Sequence, residues 1–233
     1  MITLEICVGS VEHAVAAERA GADRIELCAE LSVGGTTPSV ALMKAVRASV
    51  RIPIYAMIRP RGGDFVYSAE EFVAMRRDVH GGRECGMDGV VLGILDAWNR
   101  VDVLRTKALV DLARLPVTFH RAFDEVGDFD AALEAVIATG ARRILTSGGA
   151  PRAVEGLACL EQLVKQAGRR ISILPGAGID AGNVAHVVVG TAAREVHASL
   201  GLANRVACRE ALETWEQEVR GLRAALDGLL WEV

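Results

Sequence analysis

The side chains able to bind metal or move protons recur at matching places in short apolar stretches. Cys7 closes TLEIC (3–7) and Cys28 closes RIELC (24–28), while Arg59 follows IPIYAMI (52–58). His120 ends LPVTFH (115–120), and His197 lies in EVHAS (195–199). Two thiols at equivalent ends of successive strands can approach each other. With the Met57 thioether or an imidazole they form a soft donor set that suits Cu(I) better than Mg²⁺ or Mn²⁺. A buried free cysteine is equally an ordinary small packing residue, and the residues alone leave both readings open. Cys85, Cys159 and Cys208 fall in helical segments and read as packing. The second chemistry is proton transfer, with His120 or His197 as base, Glu26 as its partner, and Arg59 or Arg121 holding an anion.

Two glycine clusters bear on that anion. TSGGA (146–150) and PGAG (175–178) expose backbone N–H groups that can cradle a phosphate or carboxylate through Gly148, Gly149, Gly176 and Gly178, with Ser147 and Ser199 nearby. The segment RPRGGDFVYS (59–68) sets Arg59 and Arg61 around a glycine pair, which suits a substrate clamp or lid. Lys44, Lys107 and Lys165 are the only lysines and all lie in helical patterns, which excludes a strand-borne Schiff-base lysine. His13, His80 and His186 are likewise helical and read as surface residues.

The elements that position these groups come from a repeat. AGADRIEL (20–27), CGMDGVVL (85–92), TGARRILT (139–146) and GTAAREVH (190–197) each read as a helix stopped at glycine and followed by a strand. Four further apolar stretches lie between them, making eight strands, each followed by a helical pattern. Ser10, Thr37 with Pro38, Asp102 and Asp128 are expected caps, and Ser68 with Glu71 forms a capping box. The sixth helix is expected near 151–167, the seventh near 182–188 and the eighth near 208–226. This is a single (β/α)₈ TIM barrel of the α/β class, spanning residues 1–233 as one domain. Alternation then sends Glu5, Cys7, Arg24, Glu26, Cys28, Tyr55, Met57, Arg59, Thr118, His120, Glu195, His197 and Ser199 into the lumen, because their apolar neighbours must cover the helices. Charges there must pair with one another or meet a ligand.

Composition narrows the function. Acidic residues outnumber basic ones by 30 to 26 with no basic block, so nucleic acid is not an expected partner. No apolar run reaches membrane-spanning length. A strand at residues 2–7 leaves no room for a signal peptide, and five cysteines without a C-x-x-C pair do not make a secreted disulfide framework. A cytoplasmic protein with reduced thiols is the expectation, and no organic cofactor is implied.

EICVGS (5–10), AGADRIELC (20–28), GGTTPS (34–39), MIRPRGGDFVYS (57–68), VTFHRAFD (117–124), LTSGGAP (145–151), LPGAGI (174–179) and EVHAS (195–199) together resemble the CutC family of copper homeostasis proteins. The resemblance runs through residue 199. It implies a TIM barrel, a cytoplasmic location, a homodimer or higher homo-oligomer, and Cu(I) binding by cysteines that align with Cys7 and Cys28. The chain departs from the family at Val66, where many relatives carry cysteine, and at LDAWNRVD (95–102), which lacks an expected glycine turn. Two functions follow as expectations: a copper homeostasis protein binding Cu(I) through Cys7, Cys28 and Met57, or a lyase or isomerase acting on a small phosphorylated or carboxylated metabolite. The last helix shows apolar residues on more than one face ahead of Trp231, which admits either barrel packing or a dimer contact.

Overall fold

A computed structural model describes residues 2–202 and 208–229. Strands and helices alternate as β1 (Thr3–Val8), α1 (Val11–Arg19), β2 (Arg24–Leu27), α2 (Val40–Ser49), β3 (Ile54–Met57), α3 (Ala69–Glu84), β4 (Gly89–Leu92) and α4 (Val103–Ala113). They continue as β5 (Val117–Phe119), α5 (Phe129–Thr139), β6 (Arg143–Thr146), α6 (Leu157–Ala167), β7 (Ser172–Pro175), α7 (Val184–Thr191), β8 (Glu195–Ala198) and α8 (Arg209–Gly228). The eight strands are all parallel in the order β7-β6-β5-β4-β3-β2-β1-β8, and β7 packs beside β8 to close the barrel. This is the (β/α)₈ barrel expected from the repeat. Leu4, Ile6, Ile25, Leu27, Ile54, Ala56 and Val196 form the layer between sheet and helices and are fully buried.

Side-chain caps begin most helices where the residues forecast them. Ser10, Asp102 and Asp128 accept backbone N–H groups of α1, α4 and α5, and Ser68 with Glu71 completes the capping box of α3. Helix α2 differs. Its cap is Ser39, because Thr37 is held at the end of β3, with its N–H on the Arg59 carbonyl at 2.9 Å and its Oγ1 accepting the Arg59 N–H at 3.0 Å. The repeat's fourth glycine also differs. Gly21, Gly86 and Gly140 take φ values of 94°, 75° and 86° at helix ends, whereas Gly190 lies within α7 and Ala192 makes the left-handed turn at 58°. In 95–102 the turn forms without glycine. Asn99 takes φ 54°, and Asp96 accepts the N–H groups of Trp98 and Arg100.

Helix α6 starts at Leu157, later than expected, after a short 3₁₀ turn over Ala153–Glu155. Helix α8 buries Trp215, Val219, Leu222 and Leu226 on one face, packed on α1 and α7. That is the barrel-packing alternative; Trp231 lies outside the described residues. No helix among the described residues is long and apolar enough to cross a membrane.

Candidate functional site

Strand alternation delivers the polar residues to the lumen, and the register sorts them by depth. Glu5 of β1 lies beside Arg24 of β2 and His197 of β8, while Cys7 lies beside Glu26. The lower groups form a closed network. Glu195 accepts from Arg24 at 2.7 Å, Arg143 at 2.6 Å and Ser172 at 2.6 Å. Arg24 also donates to Glu5, and Tyr55 accepts from Arg143 at 3.1 Å with its ring 5.1 Å from each guanidinium carbon. Gly89 makes room for that ring, since a Cβ there would lie 2.2 Å from it. Burial works to raise the Glu195 pKa, but Arg143, Ser172 and Arg24 hold it below the ordinary carboxylate value. This half of the lumen is a structural ion network.

Above it the pairing loosens. His197 donates Nδ1–H to Glu5 at 2.8 Å, which turns its Nε2 to Glu26 at 3.7 Å. A carboxylate behind an imidazole in this way fixes the ring and strengthens its outward nitrogen as a ligand. The Cys28 thiol donates to Glu26 at 3.6 Å, and the two sulfurs of Cys7 and Cys28 lie 3.9 Å apart. Met57 packs with both cysteines, Tyr55 and Val91. The ligand atoms of Cys7, Glu26 and His197 all fall within 4.8 Å of one another, a potential metal cluster among the described residues. Glu26 and His197, the catalytic candidates under the enzyme alternative, lie beside the thiols.

Burial governs the protonation here. It raises Glu26 above the carboxylate range, opposed by the His197 charge. Burial also tends to lower His197, but the Glu26 charge and the Glu5 hydrogen bond and charge raise it overall. For Cys7 the bond to Cys28 pulls downward, yet burial and the nearby carboxylates leave the thiol raised. Cys28 is pushed well above an ordinary thiol by its bond to Cys7 and by burial.

A cavity of about 540 Å³ opens over this cluster, lined among others by Cys7, Glu26, Met57, Arg59, His120 and Arg121. Of the two arginines expected as an anion clamp, Arg59 lines it, gives its terminal nitrogens to the carbonyls of Val33, Gly35 and Gly63 at 2.9, 3.1 and 2.7 Å, and leaves its buried Nε without a partner. Arg61 does not line the cavity; it is engaged by Glu71 and Asp64 and by the carbonyls of Gly62, Asp64 and Val66.

The glycine cradle at 146–150 already holds an anion, and it is the chain's own. Asp124 accepts the N–H groups of Ser147 at 3.0 Å and Gly149 at 3.1 Å, together with the hydroxyls of Thr146 and Ser147 and the Arg121 Nε–H at 2.7 Å. The Gly148 N–H is taken by Thr146 Oγ1 at 2.9 Å. Gly176 gives its N–H to the Thr146 carbonyl at 3.0 Å, and Gly178 backs onto Arg152; neither lines the cavity. Ser199 does line it. Asp124 was not singled out in the sequence, because only the fold brings the end of β5 to the turn after β6.

His120 lines the cavity; its Nδ1 accepts the Ala122 N–H at 3.2 Å, and its buried Nε2 has no hydrogen-bond partner. Burial, helped by the Arg59 charge, lowers its pKa to about 3.

Comparison with known proteins bears on the family and the fold. A profile of the CutC family matches residues 2–202. A family protein CutC of Chromobacterium violaceum is 46% identical over 241 residues, covering 96% of this chain and 98% of its own. The copper homeostasis protein cutC homolog of Homo sapiens is 49% identical over 197 residues, 84% of this chain and 72% of its own. The crystal structure of a CutC from Streptococcus agalactiae superposes with a TM-score of 0.82 at 33% identity, covering 85% of this chain and 99% of that one. A match of this extent makes the chain a member of the CutC family.

Proposed function

We propose that this chain acts in copper homeostasis in the cytoplasm by binding Cu(I) through the thiolates of Cys7 and Cys28, with the Met57 thioether beside them. The observation that carries the reading is the sulfur pair. Two free, buried thiols face each other at 3.9 Å, and the Cys7 side of the pair lines an open cavity. Metal–thiolate bonds of about 2.3 Å let two sulfurs stand up to roughly 4.6 Å apart around one ion, so the pair fits without rearrangement. Soft sulfur donors favour Cu(I) over the hard divalent ions. Glu26 and His197 stand within reach of Cys7 as a harder set, which suits Zn²⁺ better. Assembly as a homodimer or higher homo-oligomer belongs to the same reading.

The test is an anaerobic Cu(I) titration against a chelator of known affinity, comparing the wild type with the Cys7→Ser, Cys28→Ser double variant. Stoichiometric binding lost in the double variant supports the thiol site. Binding indifferent to the double variant, or lost only on His197→Ala, overturns the ligand choice.

A further inference from the structure

Donors of three kinds converge at one point of the lumen. The ligand atoms of Cys7, Glu26 and His197 fall within 4.8 Å of one another, and all three residues line the cavity. They come from β1, β2 and β8, whose register puts Cys7 beside Glu26 and Glu5 beside His197. The imidazole is already set as a ligand. Its Nδ1 is taken by Glu5 at 2.8 Å, and its Nε2 stands 3.7 Å from Glu26 Oε2. A carboxylate behind a histidine is the usual support of a metal-bound imidazole. The other oxygen of Glu26, Oε1, is buried and has no hydrogen-bond partner, which costs about 1–3 kcal/mol when unmet. Coordination through Oε1, alone or with Oε2, meets that demand.

Spacing and charge indicate the ion. Zn²⁺ binds thiolate at about 2.3 Å and imidazole or carboxylate at about 2.0–2.2 Å, which sets neighbouring ligands roughly 3.3–3.6 Å apart in a tetrahedron. The Glu26–His197 pair is within a few tenths of an ångström of that spacing, and the widest gap in the cluster closes by about 1 Å. One thiolate and one carboxylate with a neutral imidazole bring two negative charges, which a dication cancels and a monocation does not. The network below is balanced within itself, Glu5 and Glu195 against Arg24 and Arg143. Of the cations lining the cavity, Arg121 pairs with Asp124 and Arg59 is held by the carbonyls of Val33, Gly35 and Gly63, so neither occupies the Glu26 carboxylate. A set of one sulfur, one nitrogen and one oxygen suits borderline Zn²⁺ and not the hard ions Mg²⁺ or Ca²⁺.

We infer that Cys7, Glu26 and His197 bind a divalent cation of the Zn²⁺ class through the Cys7 thiolate, the Glu26 carboxylate and His197 Nε2, with the fourth ligand a water or an oxygen of a molecule in the cavity. Three protein ligands and one exchangeable position are the pattern of a Lewis-acid zinc centre, not of a closed structural one. The site shares Cys7 with the sulfur pair but does not use Cys28, and it stands whether or not that pair takes Cu(I).

The experiment titrates the full-length, reduced, metal-free protein with Zn²⁺ against a chromophoric chelator of known affinity, and with Co²⁺ as a spectroscopic stand-in. The expected result is one Zn²⁺ per chain, and a Co²⁺ complex with tetrahedral d–d absorption and the charge-transfer band of a single thiolate. Glu5→Gln should weaken Zn²⁺ binding about ten- to a hundredfold by releasing the imidazole, and His197→Ala by at least as much. Cys28→Ser should keep the Zn²⁺ site while removing the two-thiolate Cu(I) site, so the two readings fail separately. No Zn²⁺ binding, or binding indifferent to His197→Ala, overturns the inference. Loss of Zn²⁺ on Cys28→Ser assigns the ion to the sulfur pair and overturns it too. If the Glu5 and His197 variants fail to fold, the wild-type Co²⁺ spectrum decides: an octahedral spectrum without a thiolate band, or a band of two thiolates, refutes the assignment.

Discussion

Glu5→Gln tests whether the lower ion network holds the site. Glu5 is fully buried between Arg24 and His197. Burial alone would raise its pKa, but the Arg24 charge and the His197 hydrogen bond and charge bring it from 4.5 to about 2. At 1.36 kcal/mol per pH unit, that difference makes the ionised form worth about 3 kcal/mol of stability at neutral pH. The folded value is depressed, so this stability is present above the ordinary pKa and is lost as the pH falls toward the folded one. Integrated between the two values, it falls by roughly 1 kcal/mol by pH 4 and by more than half at pH 3. Gln keeps the shape but not the charge, leaving Arg24 with Glu195 alone, a loss in line with the roughly 3–5 kcal/mol of a broken buried pair. Urea unfolding of wild type and variant from neutral to acidic pH reads the difference directly. A gap within about 0.5 kcal/mol at pH 7, the scale of an ordinary surface substitution, would refute the reasoning. A gap that stays constant into acid would show that shape, not charge, accounts for it.

Two other perturbations separate the parts of the site. Asp124→Ala should cost about 3 kcal/mol or more, since several donors lose a charged acceptor. Inorganic phosphate should then restore part of that loss in the variant and leave the wild type unchanged, seen as a concentration-dependent rise in Tm; a phosphate-insensitive variant would show that the emptied cradle is not an anion site. Cu(I) affinity should rise with pH through the neutral range, because both thiols are raised and must lose their protons to bind. The limit is about a hundredfold per pH unit when two protons leave, and a titration that stays flat against a pH-corrected chelator would contradict the two-thiolate site.

The sequence shows which residues face the lumen but not which of them meet. Alternation is local: Leu4 and Ile6 must cover helices, so Glu5 and Cys7 must point the other way. Depth in the barrel depends on the offset between strands. Only the pairing of Glu5 with His197 and of Cys7 with Glu26 reveals that the imidazole stands beside the thiols. Arg143 shows the same limit, since its role comes from Glu195, a strand distant in sequence. The glycine turn misleads for a related reason. Backbone N–H groups announce an anion, but not whether it comes from solution or from Asp124. Thr37 looks like a cap until β3 occupies its hydroxyl.

An eight-stranded barrel ordinarily fills its interior with aliphatic side chains, and here Tyr55 between two arginines serves that purpose at the bottom. Glu5 belongs to both halves of the lumen. One of its oxygens is anchored by Arg24, and the other orients His197 toward the thiols. Stability and site geometry are therefore coupled at this residue, and a change there must move both. His120 is held differently, by Phe65, by the Ala122 N–H and by the space at Gly93. None of those contacts passes through the ion network. The His120 imidazole can thus be altered without disturbing the contacts that hold Glu5 and His197.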